Sequence, residues 1–113
     1  MARVRRWCGT YFLEFDGDQI REFCGKTLYQ IENGRLREWC GLTKYEFVGD
    51  TIRRFCGNNL LQLEGHRIRR WCGNYIAEID GNRIKEYCGN YLYEVDGFLS
   101  HEQWMALIAL LFA

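Results

Sequence analysis

The sequence predicts an all-β fold with one C-terminal α-helix, in which a twelve-stranded antiparallel meander closes into a barrel around that helix. Three observations predict it. Glycine recurs every eight residues between short runs rich in β-branched and aromatic residues. These runs are of two alternating kinds, so the full pattern repeats every sixteen residues. The repeats then give way to an apolar stretch, "WMALIALLFA", that begins at Trp104.

Composition indicates a single domain that spans residues 1–113. Its cysteines, which we expect to be reduced, imply a cytoplasmic protein. The 15 basic and 15 acidic residues balance, which disfavours nucleic acid as a partner and gives no support to an anionic membrane. The start, "MARVRRWCG", lacks the apolar stretch of a signal peptide. The ten-residue apolar run near the C-terminus is shorter than the ~20 residues of a membrane span.

The eight-residue rhythm predicts twelve short strands joined by tight turns. The glycines are Gly9, Gly17, Gly25, Gly41, Gly49, Gly57, Gly65, Gly73, Gly81, Gly89 and Gly97, and Asn33 takes the one missing place. A first kind of unit reads "RIRRWCGN" (67–74) and a second kind "YIAEIDGN" (75–82). Because Asp-Gly and Gly-Asn steps between β-prone runs are hairpin signals, six copies of the pair over residues 3–98 predict six hairpins, with about six residues per strand.

A parallel solenoid could use the same rhythm, but charge patterning favours the meander. A solenoid stacks equivalent positions about 4.8 Å apart, which would place like charges in one destabilising column. That column would contain Arg5, Arg21, Arg37, Arg53, Arg69 and Lys85.

If every glycine begins a two-residue turn, the meander gives two regular cross-strand rows. In the charged row each cation lies between Glu or Gln residues, in the order Arg5, Glu14, Arg21, Gln30, Arg37, Glu46, Arg53, Gln62, Arg69, Glu78, Lys85 and Glu94. The apolar row is Val4, Phe15, Ile20, Ile31, Leu36, Phe47, Ile52, Leu63, Ile68, Ile79, Ile84 and Val95. The period of two makes both rows sensitive to register.

The apolar row shares its predicted face with the six cysteines. We assign that face to the interior because it carries fewer charges than the other, although six remain on it, at Arg6, Glu22, Glu38, Arg54, Arg70 and Glu86. The cysteines are then small apolar core residues with reduced thiols, as buried free cysteines usually are. The charged row is assigned to the outer face. So are Trp7, Phe23, Trp39, Phe55, Trp71 and Tyr87, together with Phe12, Leu28, Leu60, Ile76 and Leu92.

The last segment, residues 99–113, predicts an apolar helix inside the barrel. Ser100 and Gln103 form a capping-box pattern, and Leu99 and Trp104 are spaced as a hydrophobic staple. Twelve strands tilted by ~40° give a barrel about 24 Å across, which has room for one helix of ~10 Å diameter and a shell of side chains. Closure would bring Glu94 opposite Arg5.

This combination of a twelve-stranded antiparallel barrel and a C-terminal apolar helix resembles the Tubby and phospholipid-scramblase architecture. The likeness is one of topology alone, and it implies small-ligand or membrane-lipid binding. The "GNxIRxxCG…LYEIDG" cadence is more similar to short tandem β-repeat proteins of bacteria that have no assigned function. Neither resemblance supplies functional residues for this chain.

The residues that could carry chemistry are explained by the repeat, so we expect no enzyme activity, metal or cofactor. Cysteines two strands apart lie about 9.5 Å from each other, beyond the ~7 Å limit for a disulfide and too far apart to share a zinc ion. His66 and His101 are isolated. Acidic residues recur from unit to unit, whereas a catalytic set occurs once. We therefore expect a non-catalytic structural or protein-interaction module.

One feature suggests a binding surface, namely arginine beside tryptophan on the outer face. The candidate residues are Arg5, Trp7, Arg37, Trp39, Arg69 and Trp71. Such pairs can stack on bases or hold lipid phosphates, but each arginine already has Glu or Gln on both sides. We expect an aromatic girdle that contacts another protein or a second copy of the chain. A lipid or small ligand is the alternative.

Overall fold

The computed structural model describes residues 2–113 and confirms the predicted architecture of twelve antiparallel strands closed into a barrel, followed by one helix. The strands are β1 Ala2–Arg6, β2 Tyr11–Asp16, β3 Gln19–Glu22, β4 Thr27–Glu32, β5 Arg35–Glu38, β6 Thr43–Val48, β7 Thr51–Arg54, β8 Asn59–Glu64, β9 Arg67–Arg70, β10 Tyr75–Asp80, β11 Arg83–Glu86 and β12 Tyr91–Asp96. The helix, α1, is His101–Phe112. Each strand pairs with its neighbours in the chain, and β12 pairs with β1. The molecule is a flat disc of 36 × 35 × 17 Å.

The turns from second-kind to first-kind strands have the two residues that the sequence predicts. Asp16 pairs with Gln19 across Gly17 and Asp18, and Gly17 has a φ of +61°. Asn33 is left-handed as well, with a φ of +51°. Two-residue hairpin turns require this backbone, which glycine and asparagine adopt most readily. We call this end of the barrel the tight-turn rim.

The six connections that contain a Cys-Gly step are longer, so the two-residue turns predicted there are wrong. In the first of them the Gly9 N–H donates to the Arg6 carbonyl at 2.9 Å, and the Arg6 N–H donates to the Thr10 carbonyl at 3.4 Å. The left-handed residue is Cys8, with a φ of +56°, and not the glycine. Gly9 is needed for space instead, because a Cβ there would lie 3.1 Å from the Arg6 Cβ. We call this end of the barrel the cysteine rim.

The longer connections move the register by two residues and introduce a bulge, which corrects half of the predicted charged row. Arg3, and not Arg5, pairs with Glu14. The same displacement pairs Gln19 with Gln30, Arg35 with Glu46, Thr51 with Gln62, Arg67 with Glu78, and Arg83 with Glu94. The other half is confirmed at Glu14–Arg21, Gln30–Arg37, Glu46–Arg53, Gln62–Arg69 and Glu78–Lys85, and closure pairs Arg5 with Glu94.

A shift of two residues leaves a side chain on its own face, so the residues of the apolar row line the interior as predicted. Half of the pairs predicted within that row are wrong, since Val4 pairs with Leu13 and Ile20 with Tyr29. Val4, Phe15, Ile20, Ile31, Leu36, Ile52, Ile68, Ile84 and Val95 are buried, and Phe47, Leu63 and Ile79 are partly buried against them. The cysteines, predicted to share this interior, are all exposed, because they lie in the connections beyond the strand ends. Phe12, Leu28, Leu60 and Ile76, predicted outside, pack against the core, because the bulge interrupts the alternation of the strand there.

The helix occupies the interior of the barrel. Its capping box is present, with the Ser100 side chain accepting from the Gln103 N–H and the Gln103 side chain accepting from the Ser100 N–H at 2.9 Å. The five consecutive residues 105–109 are each at most 1% exposed. Five residues cover more than one helical turn, so α1 is enclosed on every side. Its length of about 18 Å matches the 17 Å height of the disc.

The first turn of α1 is attached to the tight-turn rim. Three contacts around that rim are Gln103 Nε2 to the Gly17 carbonyl at 2.8 Å, the Gly34 N–H to Glu102 Oε2 at 2.8 Å, and His101 Nε2 to Asp50 Oδ1 at 3.3 Å. The helix therefore begins at the tight-turn rim and ends at the cysteine rim. Within residues 2–113, no helix has both the length and the apolar character needed to cross a bilayer.

Candidate functional site: the cysteine rim

The cysteine rim presents six free, exposed thiols in one repeated setting. They are Cys8, Cys24, Cys40, Cys56, Cys72 and Cys88, with φ angles between +54° and +57°. Neighbouring cysteines are two strands apart, about 9.5 Å at normal strand spacing. Residues 2–113 contain no group of three or more His, Cys, Asp or Glu side chains placed to hold a metal ion. The rim is thus a ring of separate thiols that face solvent.

An aromatic residue precedes each cysteine and lies half-exposed on the outside of the rim. These residues are Trp7, Phe23, Trp39, Phe55, Trp71 and Tyr87, with exposures between 36% and 44%. Their backbone holds them in place, as at Trp7, whose N–H donates to the Leu92 carbonyl at 2.9 Å, and at Trp71, whose N–H donates to the Leu60 carbonyl at 3.0 Å. The side chains are therefore presented from rigid backbone positions.

The structure does not stack each predicted arginine on its neighbouring tryptophan. Arg5 donates to Glu94, Arg37 to Gln30 and Arg69 to Gln62. All three therefore belong to the charged row of the outer face, which we call the belt and which lies below the rim. The guanidinium that lies over Trp7, 5.1 Å from the ring centroid, belongs to Arg83. Among the described residues, no cation lies over the ring of Trp39 or Trp71. These two indoles are the most exposed of the six aromatic side chains, at 44% and 43%.

The belt itself is electrostatically satisfied. Glu46 lies between Arg53, at 2.8 Å, and Arg35, at 3.3 Å. The hydrogen bond from Arg53 is the largest of the effects that hold the pKa of Glu46 below its ordinary value. Hydrogen bonds from Arg21 and from Arg5 lower the pKa of Glu14 and of Glu94 in the same way. The belt residues are therefore already paired with one another.

A second set of charges, at the inner edge of the cysteine rim, contrasts with the belt. Each first-kind strand ends in a charged residue whose cross-strand partner points into the barrel, as Glu22 pairs with Leu13 and Arg70 with Leu61. The set, which we call the mouth ring, is Arg6, Glu22, Glu38, Arg54, Arg70 and Glu86. All six are exposed, and none forms an ion pair with any described residue. No role was assigned to these charges from the sequence, although their position two residues before each cysteine could have located them at the opening.

One shallow cleft, of about 280 Å³, lies beside the mouth ring and is lined by Lys44, Tyr45 and Arg54. Two more lie away from this rim or below it. One, of about 200 Å³, lies at the β1–β12 seam and is lined by Arg5, Tyr11, Asn82, Glu94, Val95 and Asp96. The other, of about 230 Å³, lies at the tight-turn rim, where His66, His101 and Trp104 contribute to its lining. Each of the three clefts has room for a small ligand.

Comparison with known proteins adds no family: no protein-family model matches the chain, and no curated protein or solved structure is detectably similar to it.

Proposed function

We propose that this protein is a non-catalytic protein-interaction module that binds its partner through the cysteine rim. The observation that carries the proposal is the set of six half-exposed aromatic side chains, one for each sixteen-residue unit, all at the same end of the barrel. Aromatic side chains are enriched at protein interfaces and supply large contact areas with little loss of conformational entropy. Trp39 and Trp71 are the strongest candidates, because their ring faces carry no cation from the described residues.

Other features agree with this proposal. The interior is filled by α1, so partners meet the protein on its outer surface. The same residue types recur in all six units, as suits a contact surface, whereas a catalytic set would occur once. The six free and exposed thiols favour a reducing compartment, and the proposal therefore includes a cytoplasmic location.

Site-specific photo-crosslinking tests the proposal. A photoreactive phenylalanine analogue in place of Trp71 should capture a specific partner in cells that make the protein. The same analogue in place of Val48, which is 57% exposed near the tight-turn rim, should not capture it. Binding of the purified partner should weaken about tenfold or more in a Trp39→Ala/Trp71→Ala variant and remain unchanged in Val48→Ala. Equal capture from both positions would contradict the proposal.

Anionic lipid headgroups are the second candidate ligand, supported by Arg83, whose guanidinium lies over both Trp7 and Tyr91. An arginine on an aromatic platform can hold a phosphate. Sedimentation with phosphatidylserine vesicles that is lost on Arg83→Ala, with no protein captured from Trp71, would support lipid binding instead.

A further inference from the structure

We infer that the partner of the cysteine rim is a second copy of this chain, bound mouth to mouth about a two-fold axis that lies in the plane of the rim. The inference rests on the proposed function, because it names the partner of that same surface. It is carried by the mouth ring, whose six charges are exposed and form no ion pair among residues 2–113.

The order of charges around the mouth ring is complementary to itself in one two-fold register. In chain order the signs are plus, minus, minus, plus, plus, minus, at Arg6, Glu22, Glu38, Arg54, Arg70 and Glu86. When two such rings face each other about an axis that passes between the third and fourth units, every charge meets its opposite. The resulting pairs are Arg6 with Glu86, Glu22 with Arg70, and Glu38 with Arg54, each formed twice. The other two registers that an axis between units allows bring like charges together, which costs affinity.

The remaining surface of the rim has the composition of an interface. At its centre lies the C-terminal turn of α1, where the apolar residues Leu110, Leu111 and Phe112 are only partly buried. The charged ring surrounds this apolar centre, as is usual for protein interfaces. The disc is 36 × 35 Å across, so one end has a projected area of roughly 1000 Å², enough for the ~800 Å² that each partner contributes to a standard interface.

The same register brings the thiols of the two copies into facing pairs. Cys8 would face Cys88, Cys24 would face Cys72, and Cys40 would face Cys56 of the second copy. No cysteine faces its own equivalent, because the axis passes between units. This gives a pairing pattern that no other arrangement of two rings shares, and the native cysteines can report it.

The first experiment measures association by sedimentation equilibrium. The wild-type chain should dimerise, and Arg54→Glu should raise the dimer Kd about tenfold or more, because it places two acidic side chains opposite each other. The double reversal Glu38→Arg/Arg54→Glu should restore most of the affinity. Asp18→Lys, a charge reversal at the exposed tight-turn rim, is the matched control and should leave the Kd unchanged. Circular dichroism and urea unfolding of each variant confirm that the barrel is intact.

The second experiment determines the register. Each variant keeps one or two chosen cysteines. The others are replaced by asparagine, which accepts the left-handed backbone. Diamide, which takes the two thiol hydrogens as a disulfide forms, should link the variant that keeps Cys40 and Cys56 into a dimer. On a non-reducing denaturing gel, the variants that keep Cys40 alone, or Cys40 with Cys72, should run as single chains without a covalent link.

The outcomes separate the inference from the proposed function. A wild-type chain that stays monomeric at all concentrations, while photo-crosslinking from Trp71 captures another protein, would overturn the inference and leave the proposed function standing. Cross-linking of the variant that keeps Cys40 alone would overturn the register. A monomer that captures no protein from Trp71 would contradict both.

Discussion

Each cysteine of the rim stands where the backbone favours a different residue. A φ near +55° suits glycine or asparagine, and other side chains pay on the order of 1 kcal/mol for it. The chain places asparagine in that conformation elsewhere, at Asn33. Cysteine at all six rim positions is therefore not what local backbone stability would choose, and its exposure removes packing as the reason.

Replacement of one rim cysteine by asparagine should stabilise the fold. Cys72→Asn relieves the left-handed strain without loss of buried contact, so the free energy of unfolding in urea should rise by up to ~1 kcal/mol. Cys72→Val, whose branched Cβ is least compatible with a positive φ, should lower it by about 1 kcal/mol or more. A stabilising Cys72→Val would mean that the left-handed backbone at this turn is wrong.

At the scale of strands, the longer connections decide which charges meet. Glu14, Glu46, Glu78 and Glu94 each pair with an arginine on the preceding strand, while Gln30 and Gln62 pair with the neutral residues Gln19 and Thr51. In all six units, therefore, a charged residue on the second-kind strand has a charged partner on the preceding strand, and a neutral residue has a neutral partner. Glu14, Glu46 and Glu94 each accept hydrogen bonds from arginines on both sides, which accounts for their lowered pKa values.

A charge-reversal cycle at Glu46 tests this register. Glu46→Lys places a third cation between Arg35 and Arg53, and each like-charge neighbour costs on the order of 0.2–1 kcal/mol. Adding Arg35→Glu and Arg53→Glu should recover much of the lost stability, as a coupling energy in urea unfolding. Arg37→Glu in place of Arg35→Glu is the control and should recover less. Greater recovery with Arg37→Glu than with Arg35→Glu would indicate two-residue turns at the cysteine rim.

The sequence correctly predicts the turns of the tight-turn rim but not those of the cysteine rim, because glycine has a different role in each. At Gly17 the glycine supplies a positive φ, which is the property that a two-residue turn needs and that "DG" signals. At Gly9 it supplies space beside Arg6, and the preceding cysteine takes the positive φ, so the same eight-residue rhythm conceals a different turn. The match of Gln19 with Gln30 and of Thr51 with Gln62 is the signal that could have revealed the true register. The apolar row was still predicted on the correct face, because a shift of two residues keeps each side chain on its face. The cysteines, and the four residues displaced by the bulge, were not.

At the scale of the whole molecule, α1 and the sheet depend on each other. Met105, Leu107 and Ile108 are fully buried inside a ring of twelve strands, and three residues of the first helical turn bind three different turns of the rim. Within residues 2–113, the sheet has no other large set of apolar partners for its inner face.

Removal of residues 100–113 should therefore abolish folding. Loss of each large buried side chain costs about 2–5 kcal/mol, so the total exceeds the ~5–15 kcal/mol stability of a typical domain. Circular dichroism and size-exclusion chromatography should show an unfolded or aggregated chain. As graded controls, Leu107→Ala at a buried position should destabilise more than Leu111→Ala, which is only partly buried. A truncated chain that is monomeric and unfolds cooperatively would contradict the central position of the helix.

The enclosed helix also constrains how the gene for such a chain can change. Similar sixteen-residue units favour unequal recombination, which adds or deletes whole copies, and open repeat arrays accept such changes because each repeat contacts only its neighbours. In this barrel the deletion of one copy removes two of twelve strands and narrows the diameter by about a sixth, since barrel diameter grows roughly linearly with strand number. The helix would then no longer fit, and an added copy would leave it surrounded by a gap. The dimensions of α1 therefore favour a barrel of six such units over one of five or seven.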